Sequence, residues 1–162
     1  MTLDPRALSN LILDVADDEG VEVTNLALNK VLYFVHALYL ADTATPLVRA
    51  KIEAWKYGPV FREVYHQFKS FDRAPITQRA KVLNAKTGEY EVAKAEIGQG
   101  TYEEIRNLAL PYLRMKAGKL VELSHETGGP WHDAWFHDDD VNPGMEITDD
   151  AILAHFSKQR RH

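Results

Sequence analysis

The side chains able to do chemistry gather late in the chain: Ser124, His125, Glu126, His132, Asp133, His137 and the run Asp138-Asp139-Asp140. A hydrolase built from them would use Ser124 as nucleophile, His125 or His132 as base, and an acid such as Asp133 to orient the imidazole. Ser124 stands in Leu123-Ser124-His125, not on the glycine-flanked strand-to-helix elbow that exposes a serine nucleophile. Residues adjacent in sequence do not generally face each other. A metal site would draw on His125, His132 and His137, but spacings of 7 and 5 miss the i, i+4 pair that sets two imidazoles on one helix face. The acidic run lacks the alternating ligands and central glycine of a calcium loop. Gly128-Gly129-Pro130 lacks the Lys-Ser/Thr end of a phosphate loop. The absence of cysteine removes disulfides, thiolate zinc sites and cysteine nucleophiles. These residues predict no catalytic group, no metal and no cofactor. A hydrolase or metal-dependent enzyme using His125, His132 and Asp133 is the alternative.

The bulk numbers point the same way. A chain of 162 residues, 45% apolar and 27% charged, predicts one globular domain over residues 1–162. A net charge of -5 gives non-specific nucleic-acid binding no help. The basic tail Lys158-Gln159-Arg160-Arg161-His162 has no interleaved aromatics and reads as a solvated tail. The N-terminus lacks a basic segment followed by an apolar run, and the apolar stretch 31–41 is too short to span a membrane. The expected location is the cytoplasm, with neither nucleic acid nor membrane as partner.

Pattern predicts an α+β, mainly helical fold: a compact helical domain with a central buried helix and a small antiparallel β-hairpin or sheet on one side. Asp4-Pro5 opens a first helix whose stripe is Leu8, Leu11, Ile12, Val15 and Ala16, and Asp17-Asp18-Glu19-Gly20 ends it. Thr24 caps a second helix to about Asp42, apolar on most sides and therefore central. His36 inside it is expected to be a satisfied core group. An extended segment follows over 47–55. Gly58-Pro59 is expected to restart a helix with rows Val60, Val64, Phe68 and Phe61, Tyr65. Residues 79–83 and 89–94 predict a hairpin turning at Gly88 and exposed on one side. Thr101-Tyr102-Glu103-Glu104 reads as a capping box, with a kink or break at Pro111. Helices are further expected over 119–126 and 131–136. The last is capped by Thr148, with Ile147 stapled onto Ile152.

The aromatics concentrate in two places. Trp131 and Trp135, spaced i, i+4, predict a compact aromatic corner near His125. Ile52-Glu53-Ala54-Trp55-Lys56-Tyr57-Gly58-Pro59-Val60 sets a Trp, a Tyr and a rigid break within a few residues. Aromatics beside such a turn either lock elements together or face a partner. Trp55, Tyr57 and Tyr65 are candidate partner anchors. The hairpin carrying Arg79 and Lys81 offers a strand edge for a partner. Trp55 and Gly58-Pro59 are expected mainly to hold the fold.

The motifs together carry a family resemblance. Leu28-Asn29-Lys30-Val31-Leu32-Tyr33-Phe34 resembles a helix pattern L-x-K-L-L-Y-F, with Lys30 and Tyr33 in place. It is followed by Pro46-Leu47, by Glu53-Ala54-Trp55-Lys56-Tyr57-Gly58-Pro59-Val60, and later by Leu123-Ser124-His125-Glu126 and Pro130-Trp131. Over about residues 5–157 the chain is similar to the Panacea domain, the SocA-like antitoxin domain, and its phage-associated relatives. It departs from the family pattern at Leu113-Arg114-Met115-Lys116-Ala117-Gly118-Lys119, where a Tyr-Gly break and a Ser-Ala helix start are usual, and at Gly128-Gly129, a small insertion. The resemblance implies a non-enzymatic antitoxin that neutralises a cognate toxin by direct contact. It also implies an adaptor role toward a AAA+ protease. A phage-associated protein without a toxin partner is the further alternative.

Overall fold

The computed structural model describes residues 2–160, so Arg161 and His162 of the basic tail lie outside the described residues. Its fold is α+β and mainly helical. In order come α1 (Pro5–Asp18), α2 (Asn25–Thr43), the strands β1 (Ile52–Trp55) and β2 (Gly58–Phe61), and α3 (Arg62–Phe68). Then follow β3 (Lys81–Leu83), β4 (Tyr90–Val92), α4 (Gln99–Leu113), α5 (Ala117–Ser124), α6 (Pro130–Trp135), β5 (Met145–Ile147) and α7 (Asp149–Arg160).

Local chemistry starts the early helices where the sequence expects. The Asp4 carboxylate accepts the Arg6 N–H at 2.8 Å with Pro5 in the first turn, and the Thr24 hydroxyl accepts the Ala27 N–H at 3.2 Å. Thr148 likewise accepts the Ala151 N–H at 3.2 Å, and Ile147 and Ile152 are both buried. α2 is the axis of the molecule, packed by α1, α3, α4, α5, α7 and β2. That is why its apolar residues cover most sides rather than one stripe. His36 is a satisfied core group. Its Nδ1 accepts the Val48 N–H at 3.3 Å, which leaves the proton on Nε2, 2.8 Å from Asp149 Oδ1 at the start of α7.

The sheets are small. β1 lies between β2 and β5, all antiparallel, and β3 and β4 pair antiparallel in a second, two-stranded sheet. The β3–β4 hairpin is clipped to α1 by Asn10. The Asn10 side chain donates to Ala80 O (2.9 Å) and Ala93 O (2.8 Å) and accepts from Ala80 N (2.7 Å). One buried amide thus satisfies backbone groups on both arms of the hairpin, where an unpaired group would cost about 1–3 kcal/mol.

Four local expectations are overturned. Gly58-Pro59 does not restart a helix. Gly58, at φ 115, closes the two-residue turn Lys56-Tyr57 and pairs with Trp55, so Gly58 to Phe61 form a strand. Pro59 is tolerated because β2 is an edge of its sheet. The helix begins only at Arg62, leaving Val64 and Phe68 as its buried row. The capping box at Thr101 is not used, because α4 already starts at Gln99 after Gly98. Pro111 does not divide α4, which runs on to Leu113. Pro111 and Asn107, whose carbonyl it deprives of a partner, both lie on the exposed face, where water can take that carbonyl. The hairpin is more exposed than expected: every residue of β4 is open, and Leu83, Tyr90 and Val92 share one exposed face.

Candidate partner-binding site

The Trp-Lys-Tyr-Gly-Pro turn has an inner and an outer side, and the two have different chemistry. Inside, Lys30 is wholly buried on α2 and reaches the turn, its Nζ donating to Pro59 O at 2.8 Å. Burial pulls the Lys30 amine down to about 7. Asn29 donates to the Asn25 carbonyl at 3.0 Å and accepts the Phe61 N–H at 2.9 Å, so two successive α2 residues hold β2. Gly58 leaves no room for a side chain: a Cβ there would stand 2.6 Å from Lys30 Cε and 2.6 Å from Ser124 Oγ. Glu53, 3% exposed, takes the Trp55 indole N–H at 3.2 Å and the guanidinium of Arg62 at 2.9 and 3.0 Å. Tyr33 packs edge-on against Phe34 and Phe156, and burial, with Glu126 as the lesser cause, raises its phenol above the usual range.

The late histidine cluster forms the predicted aromatic corner. His125 stacks on Trp131 with centroids 3.7 Å apart and planes at 13°, and Trp131 stacks on Trp135 at 5.5 Å. Trp131 Nε1 donates to Trp55 O at 2.8 Å, joining this corner to the hairpin turn. Ser124 Oγ donates to Val121 O at 2.8 Å and abuts Gly58, so it serves packing. His132 lies near Asp133 at 3.7 Å, and His137 near Asp138 at 3.4 Å; each is a neighbour pair on the surface rather than part of a convergent set. Among the described residues no three or more His, Asp or Glu side chains are grouped to hold a metal ion.

His125 Nε2 is buried with no hydrogen-bond partner. Burial, and then the nearby Lys30 charge, lower the His125 pKa below its usual 6.5. The unfolded chain therefore takes up a proton below 6.5 that the folded chain refuses, so this stability is present above 6.5 and is lost as pH falls through the folded value. His125→Phe keeps the stack and deletes the orphan nitrogen. Its urea midpoint at pH 7 is expected to equal or exceed the parent's, and to fall less between pH 7 and 5. Equal acid responses in the two proteins would sink this account.

Outside the turn lies a cavity of about 490 Å³, whose lining reaches inward to the buried Asn25, Asn29 and Lys30. Three of the five candidate anchors, Trp55, Tyr57 and Tyr65, line it together. The Trp55 and Tyr65 rings are 4.9 Å apart, Tyr57 is 58% exposed, and Lys56 Nζ stands 5.5 Å from the Tyr57 ring centre. The other two candidates lie elsewhere. Arg79 is engaged on α1 by Asp14 at 2.9 Å and by Asp17, and Lys81 is on β3. Sequence reasoning missed Leu26, Lys69 and Asp72 as cavity residues, and Lys56 as more than a spacer. A signal existed: Leu26–Lys30 and Tyr65–Lys69 are i, i+4 pairs, so the helix period places each on the face of a residue already singled out.

The family model described as "Antitoxin SocA-like, Panacea domain" matches residues 28–132, which contain the Lys30 helix, the hairpin turn and the His125–Trp131 stack. Antitoxin SocA of Caulobacter vibrioides (strain NA1000 / CB15N) is 37% identical over 161 residues, covering 98% of this chain and 85% of that protein. No solved structure matches. The chain belongs to the SocA-like antitoxin family, the family of the Panacea domain.

Proposed function

We propose that this protein is the antitoxin of a toxin–antitoxin pair and neutralises its cognate toxin in the cytoplasm by direct protein contact, without catalysis. The observation that carries this reading is the near end-to-end likeness to a protein named as an antitoxin. The site chemistry is compatible with it: Ser124 and His125 are committed to packing, and the open groups around the turn are mainly aromatic, apolar and basic. No helix among the described residues is long and apolar enough to cross a membrane.

The test is co-expression with the small open reading frame beside the gene. The expected result is that this chain restores growth against that product's toxicity, and that His125→Ala and His132→Ala still do so. Failure of the parent chain to rescue would overturn the antitoxin reading. Rescue lost in His132→Ala, with folding intact, would favour the enzyme. Delivery of the toxin to a AAA+ protease is an extension that the family suggests. It predicts that the toxin's half-life shortens when this chain is co-expressed in protease-proficient cells and not in protease-deficient ones.

A further inference from the structure

The cavity beside the hairpin turn is the least explained feature of the molecule. Tyr57 occupies a two-residue turn, 58% exposed, where its ring contributes little to the core. Leu26, 39% exposed, lines the same cavity. Trp55 and Tyr65 make an aromatic wall already rigid before any partner arrives: Trp55 is held through its N–H by Glu53 and through its carbonyl by Trp131. Rigid aromatics around a concavity are the usual makings of a hot spot, because they exclude water at small entropic cost. The rim reverses the charge of the chain. Overall the protein carries -5, yet exposed Lys56 and Lys69 meet a single acid here, Asp72.

We propose that this cavity receives an apolar or aromatic anchor residue flanked by carboxylates, presented on the surface of the toxin. The proposal rests on the antitoxin reading for the identity of the partner. The anchor fills the space between Trp55, Tyr57 and Tyr65, and its acidic neighbours meet Lys56 and Lys69. A basic rim on an otherwise acidic protein sets orientation, because only an acidic patch on the partner is attracted to this face. The exposed face of the β3–β4 hairpin is the competing surface. Its one cavity-lining member, Val92, belongs to a separate cavity against α1 and α4, and Glu89 and Glu91 flank Tyr90 there.

The first experiment titrates ¹⁵N-labelled full-length protein with the peptide Asp-Glu-Leu-Phe-Glu-Asp, and separately with Lys-Lys-Leu-Phe-Lys-Lys. The acidic peptide is expected to shift the Trp55 indole N–H and the amides of Tyr57 and Tyr65. Tyr57→Ala should weaken its binding at least tenfold without moving the melting temperature, and raising the salt should weaken it in the parent. Shifts confined to the hairpin, equal shifts with the basic peptide, or none at millimolar peptide would overturn the proposal. So would shifts that depend on protein concentration alone, which would make a second copy the occupant. The second experiment repeats the co-expression rescue with Tyr57→Ala, with Lys56→Glu/Lys69→Glu, and with Tyr90→Ala as the hairpin control. Loss of rescue in the first two and retention in the third is the expected pattern. Full rescue by all three overturns the cavity as the toxin site and leaves the antitoxin reading standing. Failure of the parent chain to rescue, with the acidic peptide still seated in the cavity, sinks the antitoxin reading and keeps the site.

Discussion

Gly58→Ala is expected to lower the melting temperature by about 10 °C, from a loss of about 4 kcal/mol. Two costs combine. At φ 115 a residue with a Cβ is strained, typically by about 1–3 kcal/mol. The new Cβ would also stand 2.6 Å from Lys30 Cε and from Ser124 Oγ. Neither neighbour moves freely, since Lys30 is pinned to Pro59 O and Ser124 to Val121 O. Overpacking of that kind costs about 1–3 kcal/mol more. Gly88→Ala is the control. Gly88 also has a positive φ, 73, but nothing lies within 4 Å of its Cβ position, so only the backbone cost of about 1 kcal/mol applies. Thermal melts followed by circular dichroism decide the matter. Equal losses in the two variants would show that crowding against Lys30 and Ser124 is unimportant.

Lys30→Ala is expected to cost about 4 kcal/mol at pH 7, whereas Lys30→Met costs less than about 2 kcal/mol. The alanine opens a cavity under the turn and strands Pro59 O. The methionine fills the space, loses only the hydrogen bond, and relieves the burial of an amine. The same residue makes stability depend on pH. In the unfolded chain the amine titrates near 10.5, and in the folded protein near 7. Between those values the unfolded state holds a proton that the folded state has released, so stability rises with pH from about 7 toward 10.5. Below 7 both states are protonated and the burial penalty is present in full. The slope between the two values is at most one proton's worth, about 1.4 kcal/mol per pH unit. Urea denaturation at pH 7, 8 and 9 should show the parent gaining on Lys30→Met across the series. A constant difference would mean that Lys30 stays protonated in the folded protein throughout.

Both predictions concern contacts between residues far apart in the chain, Lys30 with Gly58 and Pro59 and Ser124 with Gly58, which is where the sequence loses its grip. The helix starts at Asp4-Pro5, Thr24, Pro130 and Thr148 were legible because a cap is chemistry within three residues. The hairpin at Gly88 and the centrality of α2 were legible from period alone. β5 was not, for Met145-Glu146-Ile147 is too short to show a pattern and is a strand only because β1 pairs with it. The β2 strand was misread for the same reason. Pro59 suits the first turn of a helix as well as a sheet edge, and only the pairing of Trp55 with Gly58 chooses between them.

The candidate site divides likewise. Trp55, Tyr57 and Tyr65 were visible as aromatics near a turn, and Lys30, Gly58 and His125 as motif positions. That the first three share one cavity follows from how α3 lies against β2, and that Arg79 is taken up by two aspartates on α1 follows from the Asn10 clip at the neighbouring Ala80. By itself the sequence determined the helical class, the capped helix starts, the lack of thiol chemistry and the family. These depend on composition or on residues within one turn of each other. The tertiary structure alone decided which side of the Trp-Lys-Tyr-Gly-Pro turn is core and which is open. That depends on the burial of Lys30 and the reach of Ser124 and Trp131, residues brought to the turn from α2, α5 and α6.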